Sequence, residues 1–271
     1  MPLFNRMTSA IFDVLLAPFG HGVAAFDLIV WPVLAGIVAL LVYKHVSNQA
    51  GITRAKTGIQ VHLLEIVLYR DDLLGVLVST ARALGQNVLY LGYNIVPMIV
   101  MFVPMTAVLV QIVANYAYSP LGPGDPVVIE VQLAKESPAN PAEATLVATG
   151  EVVIEAGPVS TTDGFVAWRV HAPAGDYELS VTAGGETQAK GLAVGGAPRK
   201  LPILRTNTWE AFLYPGEHAL ARDSTFETIR VRYPERDLPL FPNGEGGLLA
   251  WFFVLSLGAG FALKDRFGVT L

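Results

Sequence analysis

The sequence predicts an α+β membrane protein with three transmembrane helices, a cytoplasmic helical hairpin and an extracytoplasmic antiparallel β-sandwich. Three observations carry this. Only 15% of the 271 residues are charged and 52% are hydrophobic, with a mean hydropathy of +0.48, whereas ordinary soluble domains are about 25% charged. The charges are missing from three long stretches rather than thinned evenly. Beyond the second of these stretches, helical periodicity gives way to strict alternation.

Residues 1–22 contain one Arg and an apolar stretch broken by Asp13. Without a small-x-small cleavage site this is a poor signal peptide. Phe4, Met7, Ile11, Val14, Leu15 and Pro18 fall near helical spacing, which predicts an interfacial amphipathic helix on the outer surface. Residues 23–43 carry only Asp27 and form the first predicted span; 87–118 and 246–263 form the second and third. Eighteen helical residues reach about 27 Å, close to the roughly 30 Å hydrocarbon core. A helix that is apolar all round needs lipid or a large protein around it, and the polar segments here are too small to supply that cover.

Between the first two spans, residues 44–86 read as a helical hairpin continuous with both. Ile59, Leu63, Ile66 and Val67 mark one arm, Leu73, Leu74, Leu77 and Val78 the other, and Tyr69–Asp72 the turn, with Asp as N-cap. His62 and Glu65 have the spacing of a metal pair but lack further ligands. The segment holds five Lys or Arg (Lys44, Arg54, Lys56, Arg70, Arg82) against Glu65, Asp71 and Asp72, and the tail 264–271 adds Lys264 and Arg266. The positive-inside rule then puts hairpin and C-terminus in the cytoplasm, with the N-terminus and the region 125–240 periplasmic, in a bacterial inner membrane.

No charge occurs in the 42 residues from Ala83 to Gly124. A helix of that length would be about 63 Å long, so its ends must tilt or protrude, and Pro97 and Pro104 should kink it. Asn87, Tyr90, Asn94, Pro97, Met101, Pro104, Val108 and Gln111 share one stripe. Polar side chains in a membrane helix face protein or water, so this stripe is the candidate packing face or hydrophilic groove.

From Pro126 to Tyr233 apolar and polar residues alternate, as in Val127, Ile129, Val131, Leu133; Val166, Trp168, Val170; Tyr177, Leu179, Val181; and Ile229, Val231, Tyr233. About seven short strands with Gly and Pro turns predict a small β-sandwich. Pro173–Val181 resembles the turn and strand of immunoglobulin-like and carboxypeptidase-regulatory-like modules. The region from Asp125 to Glu245 carries 17 Asp or Glu against 10 Lys or Arg, scattered along strands rather than clustered as in a calcium loop or a carboxylate pair. Trp168 and Trp209 are its candidate interaction residues.

With no cysteine, disulfides, thiolate metal sites and cysteine nucleophiles are excluded. There is no phosphate loop, His-Glu-x-x-His or Gly-x-Ser-x-Gly. The sequence therefore predicts a non-enzyme with no cofactor and no metal, whose partners are membrane lipids and other membrane protein subunits, not nucleic acid or a small-molecule substrate. The expected role is a membrane scaffold or accessory subunit of a complex. A span, a cytoplasmic hairpin and a second span with polar and proline positions from Asn94 to Met98 also resemble the core of Oxa1/YidC/EMC3-type insertases. That resemblance covers roughly residues 23–118 plus the last helix, and implies a polar groove that guides hydrophobic segments into the bilayer. Two features depart from the family pattern: no arginine lies within a span, and a β-domain separates spans two and three.

Overall fold

The computed structural model describes residues 24–270 apart from Glu136, Pro138 and Pro198; the expected interfacial helix over 1–22 lies outside the described residues. Among the described residues four α-helices, α1 (Ala24–Val46), α2 (Gln49–Leu68), α3 (Leu73–Tyr116) and α4 (Gly244–Leu263), accompany eight strands. Of these, α1, α3 and α4 are long and apolar enough to cross a membrane. The chain forms two compact units, one of Leu28–Val108 with Phe252–Leu271, the other of Met1–Asp27 with Leu109–Trp251.

In the first unit, helices in lipid gain little from hiding apolar surface against one another, so close packing depends on small residues. Ala35, Ala39, Leu40 and Tyr43 give α1 a buried stripe at helical spacing. On α4, Phe252 and Ser256 are buried one turn apart, and Gly260 follows at the same interval. A Cβ added to Gly36 would lie 2.2 Å from the Ser256 carbonyl oxygen, and one added to Gly260 would lie 3.9 Å from the Gly36 carbonyl oxygen. The backbones of α1 and α4 thus meet where side chains are smallest.

The hairpin differs from expectation at its start. It is not continuous with α1: the chain breaks at Ser47–Asn48, where Asn48 Oδ1 accepts from Gly51 N at 2.9 Å and caps α2. On the return side the continuity holds, because α3 is one helix of 44 residues that runs through both Pro97 and Pro104. The expected Asp cap is Asp72, whose Oδ1 accepts from Leu74 N at 3.1 Å. The arms face each other through polar groups. Glu65 Oε2 lies 2.9 Å from His62 Nδ1 and accepts from Ser79 Oγ across the hairpin at 2.9 Å, and Gly58 abuts the Gln86 side chain. Leu64, Val67, Leu68, Leu73 and Leu74 are instead each 69–74% exposed. The polar seam is inside and the apolar crown outside, the reverse of a soluble hairpin.

The second unit holds two antiparallel sheets, β1 (Val127–Leu133), β3 (Val153–Ser160), β4 (Phe165–His171), β7 (Leu204–Thr206) and β8 (Phe226–Val231) in the order β3-β4-β1-β8-β7, and β2 (Thr145–Ala148), β5 (Gly175–Ala183) and β6 (Glu186–Val194) in the order β2-β5-β6. The alternation in β1 puts Ile129 opposite Trp168 on one side and Val231 on the other. Ile129, Val131, Val166, Val170, Leu179, Val181, Phe226 and Ile229 are fully buried in one core cluster fed by both sheets. Eight strands form where about seven were expected, and β8 ends at Val231, before the expected Tyr233. Glu186 pins the approach to β8: it accepts from Ser224 Oγ at 2.7 Å, Thr225 N at 2.6 Å and Gln188 Nε2 at 2.7 Å. Burial alone would raise its carboxyl, but these donors together hold it at about 2, below its ordinary 4.5.

Two predictions follow from this packing. Gly36→Leu should lower the thermal stability of the detergent-solubilised protein by about 1–3 kcal/mol, the usual cost of overpacking, while Gly258→Leu, with open space around it, should leave it unchanged. Because the folded state lowers the Glu186 pKa, its stabilising contribution is fully present above pH 4.5 and is lost as pH falls toward about 2. Emission of the buried Trp168 should report acid unfolding over that window, and Glu186→Gln should flatten the dependence.

Candidate functional site

The polar stripe of α3 lies mostly against protein. Tyr90 and Met101, with Tyr93, pack on a cluster of Leu40, Tyr43, Ile52 and Val269. Tyr43 Oη donates to Asn94 Oδ1, and Asn94 Nδ2 donates to the Tyr90 carbonyl at 2.6 Å. Asn94 is therefore engaged on both ends of its amide, as a mid-helix polar group in lipid must be. Pro97 is buried, Pro104 and Val108 are half-buried, and Asn87 is exposed. The residues after α4 close this arrangement: Lys44 Nζ donates to Phe267 O at 2.7 Å and Thr270 N to Gln49 Oε1 at 2.8 Å. Between Tyr90 and Met101 the stripe is a packing seam.

A cleft opens next to that seam. About 180 Å³ in volume, it is lined by Gly36, Leu40, Met101, Met105, Leu257 and Phe261, among others. No charged residue lines it. Two methionines on one wall give an adaptable apolar surface, since the unbranched thioether chain changes shape at little cost. Its chemistry suits a hydrocarbon or apolar side-chain ligand; the two hydroxyls on its wall, Tyr43 and Ser256, donate to Asn94 Oδ1 and to the Phe253 carbonyl.

In the other unit, Gln111 is buried at the end of the same stripe, and its carbonyl accepts from Asn115 Nδ2 at 2.8 Å. Asp27, in the first turn of α1, is 3% exposed and accepts from Tyr116 Oη. The Tyr116 ring lies 5.4 Å from the Arg236 guanidinium carbon. Helix N-termini favour carboxylates, which accounts for Asp27 surviving inside a span. Asp27 was visible in the sequence as the lone charge of its stretch; its partners, 89 and more residues away, were not.

The expected interaction residues separate. Trp168 is 3% exposed and belongs to the core, because its alternation with Val166 and Val170 points it inward, so it is not a surface platform. Trp209 is 70% exposed on the 3₁₀ turn Trp209–Phe212. One ionic feature went unread in the sequence: Lys190, fully buried at a core position of β6 opposite Leu179. Its Nζ donates to Pro202 O at 2.6 Å and to Glu217 Oε2, while Glu217 Oε1 accepts from Gly191 N at 2.7 Å. Burial pushes Lys190 down to about 8, against the opposing pull of Glu217. The pair clasps the loop containing Glu217 to β6. Among the described residues no group of three His, Cys, Asp or Glu could hold a metal, and Glu65 beside His62 is occupied as the hairpin clasp.

No family model, curated protein or solved structure matches the chain.

If the seam is built on the Tyr43–Asn94 bond, Tyr43→Phe should cost about 0.6–1.7 kcal/mol, the range for interhelical hydrogen bonds in membranes. Tyr43→Phe combined with Asn94→Leu should recover part of that loss. A double-mutant cycle in detergent unfolding measures the coupling.

Proposed function

We propose that the protein is a non-catalytic membrane scaffold of the chaperone or insertase kind, which holds the apolar segment of another membrane protein within the bilayer. The observation that carries this reading is the pairing of an apolar, methionine-walled cleft between α1, α3 and α4 with a hairpin whose apolar crown faces outward. A hydrophobic segment approaching the bilayer meets the crown first and the cleft next. Resemblance of the span, hairpin and span order to Oxa1/YidC/EMC3-type insertases supports the same reading. The departure is that the polar stripe is taken up by the Tyr43–Asn94 seam, so the adaptable surface is Met101 and Met105 rather than a charged groove. The Lys and Arg excess of Lys44–Arg82 and of the tail supports a cytoplasmic hairpin and a periplasmic β-domain in a bacterial-type inner membrane. We read the two sheets over one core as an immunoglobulin-like β-sandwich.

A second reading, a permanent accessory subunit, is favoured by edge strand β3, whose eight residues are all exposed. An unpaired edge accepts a strand from another chain.

Photo-crosslinkers at Met105, Leu257, Leu64 and Leu74 separate the two. The chaperone reading expects adducts with nascent membrane segments from all four positions. Adducts confined to positions on β3, together with one stoichiometric partner in mild detergent, would replace it with the accessory-subunit reading.

A further inference from the structure

Of the exposed large apolar side chains described in the β-domain, Trp209 and Leu240 are the two most exposed. Trp209 is 70% exposed and Leu240 is 82% exposed. Trp209 opens the 3₁₀ turn Trp209–Phe212, five residues before Tyr214. Leu240 lies four residues before Gly244, where α4 begins. Both belong to the unit that includes the first turns of α4.

The length of α4 fixes where these residues stand. Its 20 residues make a helix of about 30 Å, equal to the hydrocarbon thickness of roughly 30 Å. A helix with no surplus length must begin at the boundary between hydrocarbon and headgroups. Glu245, in its first turn, is the only charge on it. Tyr214 Oη donates to Glu245 Oε2 at 3.2 Å, and Tyr118, two residues after α3, feels the charge of the same carboxylate. Burial, and then the Glu245 charge, push the Tyr214 hydroxyl up to about 12, so it remains a donor at neutral pH. Gly244 has φ +72, and any Cβ there would strike the Glu235 carboxylate at 2.6 Å, so the entry to α4 is held tightly against the β-domain's last loop. Just before this turn, Phe241 meets Trp251 of α4 edge to face at 5.5 Å.

The bond at Glu245 thus ties the segment containing Trp209 to the headgroup level. Tyr and Trp are enriched at that level because their rings combine an apolar body with a polar edge. Basic groups stand near these tyrosines: the charge of Arg230, on β8, is felt by Tyr118 and Tyr214, and Arg236 lies over the ring of Tyr116 at the end of α3. They suit the phosphates of a lipid surface.

We propose that Trp209 and Leu240 insert into the headgroup region of the bilayer and, through the Tyr214–Glu245 bond, anchor the β-domain to the membrane surface. The occupant is lipid rather than protein because the exposed pair flanks a helix whose own length places its start at that depth. This proposal rests on α4 crossing the bilayer and not on the chaperone reading, and either can fail without the other.

The absence of cysteine makes the test clean. The full chain carrying Trp209→Cys or Leu240→Cys, labelled with an environment-sensitive nitrobenzoxadiazole dye, is reconstituted in phosphatidylcholine and phosphatidylglycerol vesicles. Val159→Cys, on the exposed strand β3, serves as comparison. The proposal expects blue-shifted emission from labels at 209 and 240, loss of that emission with lipids carrying a shallow doxyl quencher, and protection from aqueous iodide; the label at 159 should show the opposite pattern. Iodide quenching at 209 and 240 without doxyl quenching would overturn the proposal. Protection from both quenchers would also overturn it, by assigning the patch to a protein contact. Both residues are exposed, so the substitutions remove no core packing. An unlabelled Trp209→Asp variant supplies a second readout: a membrane anchor loses its protease protection at the turn 209–212, whereas a free loop is cut equally with and without the substitution.

Discussion

The approach of Gly36 to the Ser256 carbonyl is the contact on which the arrangement of α1 and α4 depends. In water, burying large apolar side chains would draw helices together. In hydrocarbon that drive is absent, and what remains is the dispersion energy of closely fitted backbones and the few hydrogen bonds that cannot be made to solvent. Gly36, Ser256 and Gly260 provide the first. Tyr43 and Asn94 provide the second, between α1 and α3. The cleft beside them exists because small residues let the α1 and α4 backbones meet while the longer Met101, Met105 and Phe261 side chains line the space around them.

The same physics explains the hairpin. Glu65, Ser79 and Gln86 turn toward the partner arm, where each finds a hydrogen bond or a close neighbour, and the leucines turn away. This arrangement would be unfavourable in bulk water, since exposed apolar patches of that size mark interaction surfaces. It becomes reasonable beside a membrane, where the outward crown can meet lipid or the apolar segment of a client.

In the β-domain the balance reverses. A core of Val, Ile and Leu from both sheets gives ordinary burial, and the exception is Lys190. A lone buried ammonium would cost several kcal/mol; here Glu217 and the Pro202 carbonyl surround it. Removing Glu217 alone would leave the charge uncompensated, so the pair fixes its loop more firmly than an apolar contact of the same size would. The Glu245 cluster has the opposite character, with the Tyr214 hydroxyl and the nearby Arg230 gathered at the start of α4.

Much of this was legible in the residues themselves. The three uncharged stretches determined the three long helices, and alternation determined β1, β4, β5 and β8, because period and charge are local properties that a single sequence displays. The turn at Tyr69–Asp72 and its Asp cap were equally local. Which face of the hairpin points inward was not, since Leu73 and Leu74 can pack on the opposite arm or away from it, and only the pairing of Glu65 with Ser79 decides. Trp168 and Trp209 look alike in the sequence; the register opposite Ile129 buries one, and a 3₁₀ turn exposes the other. By itself the sequence determined three segments long and apolar enough to cross a membrane and an antiparallel β-domain between the second and third, because lipid excludes charge wherever it occurs. Only the tertiary structure decided that the Asn94 stripe is a seam, that a cleft opens beside it and that Lys190 is a core residue, because each depends on partners more than 25 residues distant whose approach no local pattern encodes.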